Sequence, residues 1–277
     1  MRGLNVLPPP ELRSFVRAVQ YMDVPPSKDG FVIPAQDRSM LILPAHTEYI
    51  IGGEIADKVS IEAATLLGPH DVPILNRTQL PVRGFTVDFT PLGAEDLLGI
   101  PQGEIANRGI PAELLLASDW VRELVERVNL AKDVPTALEA IYGLLVQMAA
   151  QSRGPRESVA RRALRRPDKT PVDAAGAVTA LAAQLDVSPR HLNREFHRPF
   201  GMGPRRYSII RRLQTAMADL SAGAVENLTA LAIEHGFYDY PHFSHEFKRF
   251  TLTTPAQFHG SHRHREYQVV AGEPAGS

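Results

Sequence analysis

The sequence predicts a multi-domain protein, with a β-rich α+β domain at the N-terminus, closed by two helices, and an all-α domain at the C-terminus. Its 277 residues are enough for two domains of ordinary size. Short β-rich segments occupy residues 31–89, whereas helical periodicity dominates from residue 112 onward. The charge is divided in the same way. Residues 1–152 hold 12 Lys and Arg against 19 Asp and Glu, and residues 153–266 hold 18 against 11.

The N-terminal segments show the alternation expected of a sheet. In "VRGFTVDFTPLG", Phe85, Val87 and Phe89 share one face of a strand, and Thr86 and Asp88 share the other. This period of two predicts a half-buried strand. Similar short runs, broken by Pro and Gly, precede it from residue 31 onward. A β-dominated domain follows from this pattern.

Two amphipathic helices are predicted to complete the N-terminal domain. In "LLLASDWVRELVERVNL" and "TALEAIYGLLVQMAA" the apolar residues recur at steps of three and four. These helices either cover the sheet or also take part in dimerisation or in signalling to the next domain. Breakers at Gly154 and Pro155 then place the domain boundary near residues 152–156. We therefore expect one domain at 1–152, a second at 153–266 and a flexible tail at 267–277.

The composition excludes several kinds of protein. The absence of Cys removes disulfides, thiolate metal sites and cysteine nucleophiles. No apolar run reaches the roughly 18–20 residues that a membrane span needs. The start of the chain does not have the pattern of a signal peptide. We expect a cytoplasmic protein that does not associate with membranes, and whose basic half binds a polyanion.

The basic half contains an internal repeat. Leu181–Ala182 aligns with Leu231–Ala232 at a shift of 50, and Glu195–Phe196 aligns with Glu246–Phe247 at a shift of 51. Each copy is predicted to be a helix, a short turn and a second helix. Ser188 before Pro189 marks the start of the second helix in the first copy, because Ser is a preferred N-cap and Pro fits the first helical position.

The second helix of each copy is predicted to bury one face and expose a basic, hydrogen-bonding one. Leu192 and Phe196 in the first copy, like Phe243 and Phe247 in the second, lie four residues apart and should point inward. The opposite faces suit base edges and phosphates in a major groove. Both copies are therefore interpreted as helix-turn-helix units. A helix from about residue 204 to 220, roughly 25 Å long, should join them at a spacing that suits successive major grooves.

These residues resemble the AraC/XylS family of bacterial transcription regulators over roughly residues 178–258. The matching stretches are "LAAQLDVSPRHLNREF", "GMGPRRYSIIRRLQTA" and "LAIEHGFYDYPHFSHEFKRF". The resemblance implies a sequence-specific DNA-binding transcription regulator. By position, its base-reading residues fall on Arg190, Asn193, Arg194, Tyr240, His242 and His245. The N-terminal half, especially "LGPHDVPILNRTQLPVRGFTVDFTPLGAEDLLGIPQGEIANRGIP", looks like a poorly characterised sensor domain that precedes this module, which implies an α+β sensor without a particular ligand.

The sequence departs from the family pattern at the end of the second reading helix. Leu252 stands where a Gly is usual, and a Leu forced to positive φ costs about 1–2 kcal/mol. We therefore expect a different helix end there. Pro199 in the last turn of the first reading helix and His259 after Phe258 are further departures.

Further site residues and partners follow from this interpretation. The double-stranded DNA partner is a promoter or operator, and RNA polymerase, a small-molecule effector and a second copy in a homodimer are further partners to test. No cofactor is expected. Phosphate contacts are predicted at Arg205, Arg206, Lys248 and Arg249. Candidates for an effector pocket are His46, His70, Arg83 and Asp88.

Other kinds of function have weaker support. The N-terminal polar residues show no spacing that marks a nucleophile with a base or a carboxylate pair, so we expect no enzyme. His259, His262 and His264 lack a matching carboxylate or Cys set, so we expect no metal site. Two alternatives stay open: an enzyme with an accessory DNA-binding tail, and a nonspecific nucleic-acid binder that uses charge alone.

Overall fold

The N-terminal domain is rich in strands, as the alternating segments predict, and almost all of them pair antiparallel. A computed structural model describes residues 2–24, 31–44, 49–51, 59–61, 64–76, 81–152, 154–165, 176–223, 225–262 and 267–270. The strands are β1 (Arg2–Val6), β2 (Val16–Val24), β3 (Phe31–Ile33), β4 (Met40–Pro44), β5 (Tyr49–Ile51), β6 (Val59–Ile61), β7 (Thr65–Leu67), β8 (Ile74–Asn76), β9 (Val82–Phe89), β10 (Gly109–Pro111) and β11 (Tyr267–Val270).

The described strands form two sheets. The larger sheet has the order β10-β7-β4-β9-β2-β1-β11, and the smaller has the order β3-β8-β5-β6. All pairings within them are antiparallel except the one between β1 and β11, which is parallel and aligns Gly3 with Tyr267. Strand β11 lies in the segment expected to be a tail, and the sequence analysis did not anticipate it.

Strand β9 differs from the half-buried strand that its alternation predicts. Phe85, Val87 and Phe89 are buried on one face as expected, but Thr86 and Asp88 on the other face are also almost fully buried. The physical reason for Asp88 is pairing, because its carboxylate accepts hydrogen bonds from two arginines and tolerates burial. The alternation identified the strand correctly and its solvent exposure wrongly.

Two amphipathic helices cover the sheet, as predicted. They are α2 (Ser118–Leu130) and α3 (Val134–Gln151), which follow the short helix α1 (Gly93–Leu98). Their inward residues, including Val121, Leu124 and Ile141, belong to one buried cluster with the strand residues. The Tyr142 hydroxyl also donates to the Val6 carbonyl at 3.0 Å, which ties α3 to the sheet. The predicted domain boundary at 152–156 falls between α3 and the next helix.

The C-terminal domain is helical throughout its described part before β11. Its helices are α4 (Val159–Leu164), α5 (Ala177–Gln184), α6 (Pro189–Phe200), α7 (Pro204–Ala222), α8 (Leu228–Glu234), α9 (Tyr240–Thr251) and α10 (Pro255–His262). Their buried side chains form a second core. Ala35 and Leu92 of the N-terminal domain belong to this second core, so the two domains pack directly against each other. Across all the described ranges, no helix combines the length and apolar character needed to span a bilayer.

A buried polar network joins the two domains around Arg38. Its guanidinium pairs with Asp88 at 2.7 Å and with Asp37 at 2.6 Å, and it donates to the Gln214 side-chain oxygen on α7. Burial disfavours the charged guanidinium, but the two carboxylates outweigh this effect and raise the pKa of Arg38. The Gln214 amide donates in turn to the Ala35 carbonyl at 2.9 Å. The N-terminal domain therefore holds α7 near its middle.

Close backbone packing joins the domains at a second place. The 3-10 helix Gln102–Ile105 lies against the C-terminal end of α6. A Cβ on Gly103 would lie 2.3 Å from the carbonyl oxygens of both His197 and Arg198, and a Cβ on Gly201 would lie 2.1 Å from the Cβ of Ala106. One glycine from each domain is therefore needed for this approach.

Candidate nucleic-acid interface

The two predicted helix-turn-helix units have the same local geometry. The first consists of α5, a turn and α6, and the second consists of α8, a turn and α9. In the first turn the Val187 amide donates to the Ala182 carbonyl at 3.0 Å. In the second turn, 50 residues later, the Phe237 amide donates to the Ala232 carbonyl at 2.9 Å. The repeat found in the sequence is thus a repeat in hydrogen bonding.

The turns reverse the chain through a left-handed residue in each copy. Asp186 has a φ of 56° and Gly236, which aligns with it, has a φ of 73°. Asp tolerates this conformation better than most residues with a Cβ. The same turn can therefore be built from Asp in one copy and Gly in the other.

Helices α6 and α9 both begin with a side-chain N-cap, and the cap of α6 is the Ser188 that the sequence predicts. The Ser188 hydroxyl accepts a hydrogen bond from the His191 amide at 3.2 Å, and the Asp239 carboxylate accepts one from the His242 amide at 2.8 Å. Each cap satisfies an amide that lacks a partner within its helix. The caps fix the starting points of α6 and α9 at equivalent positions.

The C-terminal end of α9 differs from the one that the sequence predicts. Leu252 was expected to avoid positive φ, yet it adopts φ 61° and ψ 7°, almost the same as Gly201 at the end of α6. Its amide donates to the Lys248 carbonyl at 2.9 Å, as the Gly201 amide does to His197. The prediction of a different helix end was wrong, because this capping bond and the surrounding core fix the local path despite the strain. Pro199 likewise lies within the last turn of α6 without ending it.

The inward faces of α6 and α9 are packed as predicted. Leu192 and Phe196 are buried in the first copy, and Phe243 and Phe247 are buried in the second. The rings of Phe243 and Phe247 meet edge to face with their centroids 5.4 Å apart. These anchors determine which side chains of each helix point outward.

The outward face of α6 presents basic and amide groups. Arg190, Asn193 and Arg194 are all exposed. The Asn193 amide donates to the Pro189 carbonyl at 3.0 Å, and the Arg194 guanidinium lies 3.0 Å from Nδ1 of His191. These contacts are local to the helix, so the groups can exchange them for base edges without disturbing the fold.

The outward face of α9 presents a mixed aromatic and basic set. His245 is exposed, whereas Tyr240 and His242 are half-buried. The His242 ring contacts Phe237 edge to face at 5.7 Å, which restricts its orientation. His245 lies 3.3 Å from a carboxylate oxygen of Glu246. The caps of the two helices match, and of the six base-contact candidates Arg194 and His245 hold the same position at the repeat shift of 51.

Helix α7 connects the two units and is clamped to the second. It has 19 residues, which corresponds to roughly 28 Å. The Arg212 guanidinium donates to the Gly236 carbonyl in the second turn and stacks 4.6 Å above the Phe237 ring. His235, in the same turn, lies 2.8 Å from the Asp219 carboxylate. The linker therefore holds the second unit by side-chain contacts as well as by chain connection.

The predicted phosphate contacts divide into two groups. Arg205, Lys248 and Arg249 are exposed on the surface of the C-terminal domain. Arg206 instead forms an ion pair with Asp71 of the N-terminal domain at 2.7 Å and also donates to the Asp71 carbonyl at 3.0 Å. In this arrangement Arg206, at the start of α7, contacts the N-terminal domain.

The three described residues of the predicted effector pocket have different surroundings. His70 is fully buried, with its ring nitrogens 3.0 Å from the Gly68 carbonyl and 3.1 Å from the Pro34 carbonyl. Burial lowers the pKa of His70 below its ordinary value. Asp88 is paired inside the core, and Arg83 is exposed and paired with Asp23 at 3.2 Å. His46 lies outside the described residues.

Other chemistry finds little support in the parts of the chain that the structure describes. Within them, no group of three or more His, Cys, Asp or Glu residues is placed to hold a metal ion. Of the three histidines considered for a metal, His259 has its Nδ1 3.3 Å from the Leu220 carbonyl. His264 and the side chain of His262 lie outside the described set.

The sequence analysis missed the residues that join the domains. Gln214, Asp71 and Arg206 gave no signal as partners, because they lie far apart in the chain and each is an ordinary surface residue type. The closely spaced Gly201 and Gly203 were a usable signal, since glycine often marks a close backbone approach.

Comparison with known proteins supports the assignment of the C-terminal domain. Residues 181–261 match the sequence profile of the family described as "Helix-turn-helix domain". The matched range begins in α5 and ends in α10, and so contains both units. The C-terminal part of the chain is therefore an AraC-type helix-turn-helix domain. A comparison with curated protein sequences gave no match.

Comparison with solved structures supports the two-domain fold. The chain is similar to ToxT from Vibrio cholerae, with a TM-score of 0.50 at 9% identity, covering 87% of this chain and 98% of ToxT. It is also similar to the apo form of a ToxT point variant from Vibrio cholerae strain SCE256, with a TM-score of 0.54 at 11% identity, covering 89% of this chain and 97% of that one. At these identities the similarity establishes the fold only: an N-terminal antiparallel sheet domain followed by a helical region.

Proposed function

We propose that the protein is a bacterial, cytoplasmic transcription regulator that binds DNA by inserting α6 and α9 into successive major grooves. The premise is the AraC-type helix-turn-helix domain at residues 181–261. The observation that supports the finer proposal is the equivalence of the two units: their turn bonds and caps match, and each second helix carries a hydrogen-bonding set of exposed or half-buried side chains. Such sets suit the distinct donor and acceptor patterns of the major groove.

The spacing of the units supports simultaneous contact with one face of DNA. Successive major grooves on one face are about 34 Å apart. Helix α7 spans roughly 28 Å, and the widths of the units that pack at its two ends add to this length. A single chain would therefore contact two groove segments without a dimer.

The side chains divide into two roles under this proposal. Arg190, Asn193 and Arg194 on α6, with Tyr240, His242 and His245 on α9, would contact bases. The exposed cations Arg205, Lys248 and Arg249 would contact phosphates and fix the orientation of the domain. Arg206 would act mainly in holding α7 to the sensor domain, because Asp71 already occupies its guanidinium.

The N-terminal domain is proposed to modulate DNA binding in response to a small molecule or a partner. It contacts α7 through Gln214 and α6 through Gly103, and it contacts α9 through a hydrogen bond of 3.0 Å from the Ala35 amide to the Phe250 carbonyl. A change in the sensor domain would therefore reach both reading helices. A ligand that favours one domain arrangement over another would change DNA affinity by that preference.

The test is selection of duplexes from a random pool by the full chain, followed by affinity measurements on the selected site and on a scrambled duplex. Arg194→Ala should cost about 1–3 kcal/mol on the selected site and much less on the scrambled one. Arg122→Ala removes an exposed arginine from α2 and serves as a control for loss of charge. It should leave the ratio of the two affinities unchanged.

Salt dependence separates this proposal from a charge-only binder. A protein that contacts phosphates alone loses affinity on both duplexes by the same factor as salt rises. A base-reading protein keeps a large ratio between selected and scrambled duplexes at each salt concentration. Failure to enrich any sequence, or equal losses for Arg194→Ala on both duplexes, would refute the base-reading role of α6.

A further inference from the structure

A cleft lies between the two domains on the side of the first helix-turn-helix unit. Its volume is about 400 Å³, within the range of small-molecule sites. The sensor domain contributes α1, and the C-terminal domain contributes α4 and the C-terminal half of α6. The segment 154–158, between α3 and α4, completes the lining. The cleft is separate from the effector residues expected from the sequence, because none of those described lines it.

Part of the charge in this cleft is already neutralised by the protein. The Arg161 guanidinium pairs with Asp96, and both side chains are largely buried. The Arg161 Nε also donates to the Arg156 carbonyl at 2.7 Å. Glu157 pairs with Arg165 at 3.0 Å. The Arg161–Asp96 pair connects α4 to the N-terminal domain, and the bond to the Arg156 carbonyl ties the segment 154–158 to α4, whereas Glu157 and Arg165 form an exposed pair.

Two opposite charges from different domains line the cleft without pairing, and Glu195 on α6, 3.8 Å from the His191 ring, adds a further carboxylate to the lining. Glu95 is on α1 of the sensor domain, and Arg198 is on the first reading helix. The structure forms no ion pair between them, although Arg198 is close enough to influence the ionisation of Glu95. One carboxylate oxygen of Glu95, Oε2, is buried and has no hydrogen-bond partner in the described structure. The Arg156 guanidinium, also in the lining, forms no ion pair with a described residue.

This arrangement disfavours the charged form of the Glu95 carboxylate. Burial raises the pKa of Glu95 above its ordinary value, and the neighbouring Arg198 only partly opposes this effect. A buried acceptor without a partner costs free energy that a donor from a ligand would recover. The remaining wall of the cleft is apolar and includes Leu92, Leu97 and Pro199.

We propose that this cleft binds a compact zwitterion of the α-amino-acid class, with its ammonium toward Glu95 and its carboxylate toward Arg198 and Arg156. Each charge of the ligand would neutralise a group that the protein leaves unpaired. A small side chain would pack on the apolar wall. A ligand without an ammonium would leave the buried Glu95 oxygen without a partner, one without a carboxylate would lack the contact with the exposed Arg198 and Arg156, and a long apolar tail would bury the charged lining.

The consequence for regulation rests on the proposed function. A zwitterion held between Glu95 and Arg198 would connect α1 to α6 and stabilise the arrangement of the domains seen here. Because Arg194 lies one helical turn before Arg198, the ligand would also act on the face of α6 that is proposed to read DNA. The binding site itself can be tested without DNA.

The experiment measures the thermal unfolding midpoint of the full chain with pools of free L-amino acids at millimolar concentration, then the affinity of each active compound by calorimetry. At least one free amino acid should raise the midpoint. Its N-acetylated form, which lacks the ammonium, and its amide, which lacks the carboxylate, should bind at least about tenfold more weakly. Glu95→Gln and Arg198→Gln should each weaken the free amino acid by a similar factor.

Matched controls change the same residue types elsewhere. Glu123→Gln and Arg127→Gln disrupt an exposed pair on α2, away from the cleft, and should leave the affinity unchanged. The proposal is overturned if no amino acid raises the midpoint, if the N-acetylated form binds as tightly as the free one, or if both cleft variants retain full affinity. DNA selection is measured separately. If the chain binds an amino acid but enriches no duplex, the proposed DNA-binding function is refuted and the proposed ligand site stands. If it enriches a duplex but binds no amino acid, only the ligand site is refuted.

Discussion

Replacing Gly103 with Ala tests whether the two domains pack in solution as they do in the structure. The added Cβ would lie 2.3 Å from the backbone oxygens of His197 and Arg198. Real Cβ atoms essentially never approach other heavy atoms closer than 3.0 Å, and backbone carbonyls at a helix end cannot rotate away. The variant must therefore move the 3-10 helix Gln102–Ile105 away from α6.

The magnitude follows from two opposing terms. Overpacking of a closely packed contact costs roughly 1–3 kcal/mol. The replacement of a helical Gly by Ala returns about 0.5–1 kcal/mol through chain entropy. We expect a net loss of about 1–2 kcal/mol in the free energy of unfolding. The control is Gly143→Ala on the exposed face of α3, where no heavy atom lies within 4 Å of the new Cβ. That variant should gain stability by the entropy term alone.

The assay is urea unfolding followed with two probes. Fluorescence reports the only Trp, Trp120, which lies on α2 of the sensor domain, and circular dichroism is dominated by helices of both domains. Non-coincident curves indicate a loss of two-state behaviour. Gly103→Ala should separate the two curves more than Gly143→Ala does. If Gly103→Ala instead matches Gly143→Ala in stability and in the overlap of its curves, the close approach of the domains is refuted.

Three further predictions concern single positions. Leu252→Gly should be about 1 kcal/mol more stable than Leu252→Ala, because Ala keeps the strain of positive φ. If urea unfolding shows that the Ala variant is as stable as the Gly variant or more stable, the left-handed helix end is contradicted. Burial lowers the pKa of His70, so the neutral ring favours the folded state above about pH 6.5, and this contribution to the free energy of unfolding is lost as pH falls through the lower folded-state pKa. His70→Asn should remove that part of the pH dependence of stability. If the free energy of unfolding falls with acid as steeply in the variant as in the original chain, the prediction is wrong. Asp88→Asn should lower the free energy of unfolding by about 3–5 kcal/mol, because the buried Arg38 loses one of its two carboxylates. Asp119→Asn, at an exposed pair, should lower it by less than about 1 kcal/mol. Equally small losses for the two variants in chemical denaturation would show that the buried network is weak.

Local chemistry explains which features could be predicted from the sequence. The cap at Ser188, and the buried four-residue spacing of Leu192 and Phe196, depend on neighbours within one or two helical turns. Interactions between residues this close in the chain can be inferred from the sequence. The strands of the β-rich domain and the two covering helices followed from periodicity for the same reason, but the antiparallel pairing did not.

Other features depended on contacts between distant segments. Propensity predicted that Leu252 would avoid positive φ, but the packed domain and the Lys248 carbonyl hold it there. Alternation predicted that Asp88 lies on an exposed face of β9. Arg38, in the segment between β3 and β4, instead pairs with Asp88 and covers it. In both cases the preference of one residue is worth about 1 to a few kcal/mol, and the surrounding contacts outweigh it.

The sequence by itself determined that the chain has a β-rich domain and a helical domain, and that the second contains two equivalent helix-turn-helix units. Only the tertiary structure decided how the domains meet: through Arg38 and Gln214, through the glycines at 103 and 201, and around the cleft between Glu95 and Arg198. Periodic patterns record which face of an element is buried. They do not record which distant element covers that face, because that choice is made by shape and charge complementarity between surfaces that are far apart in the chain.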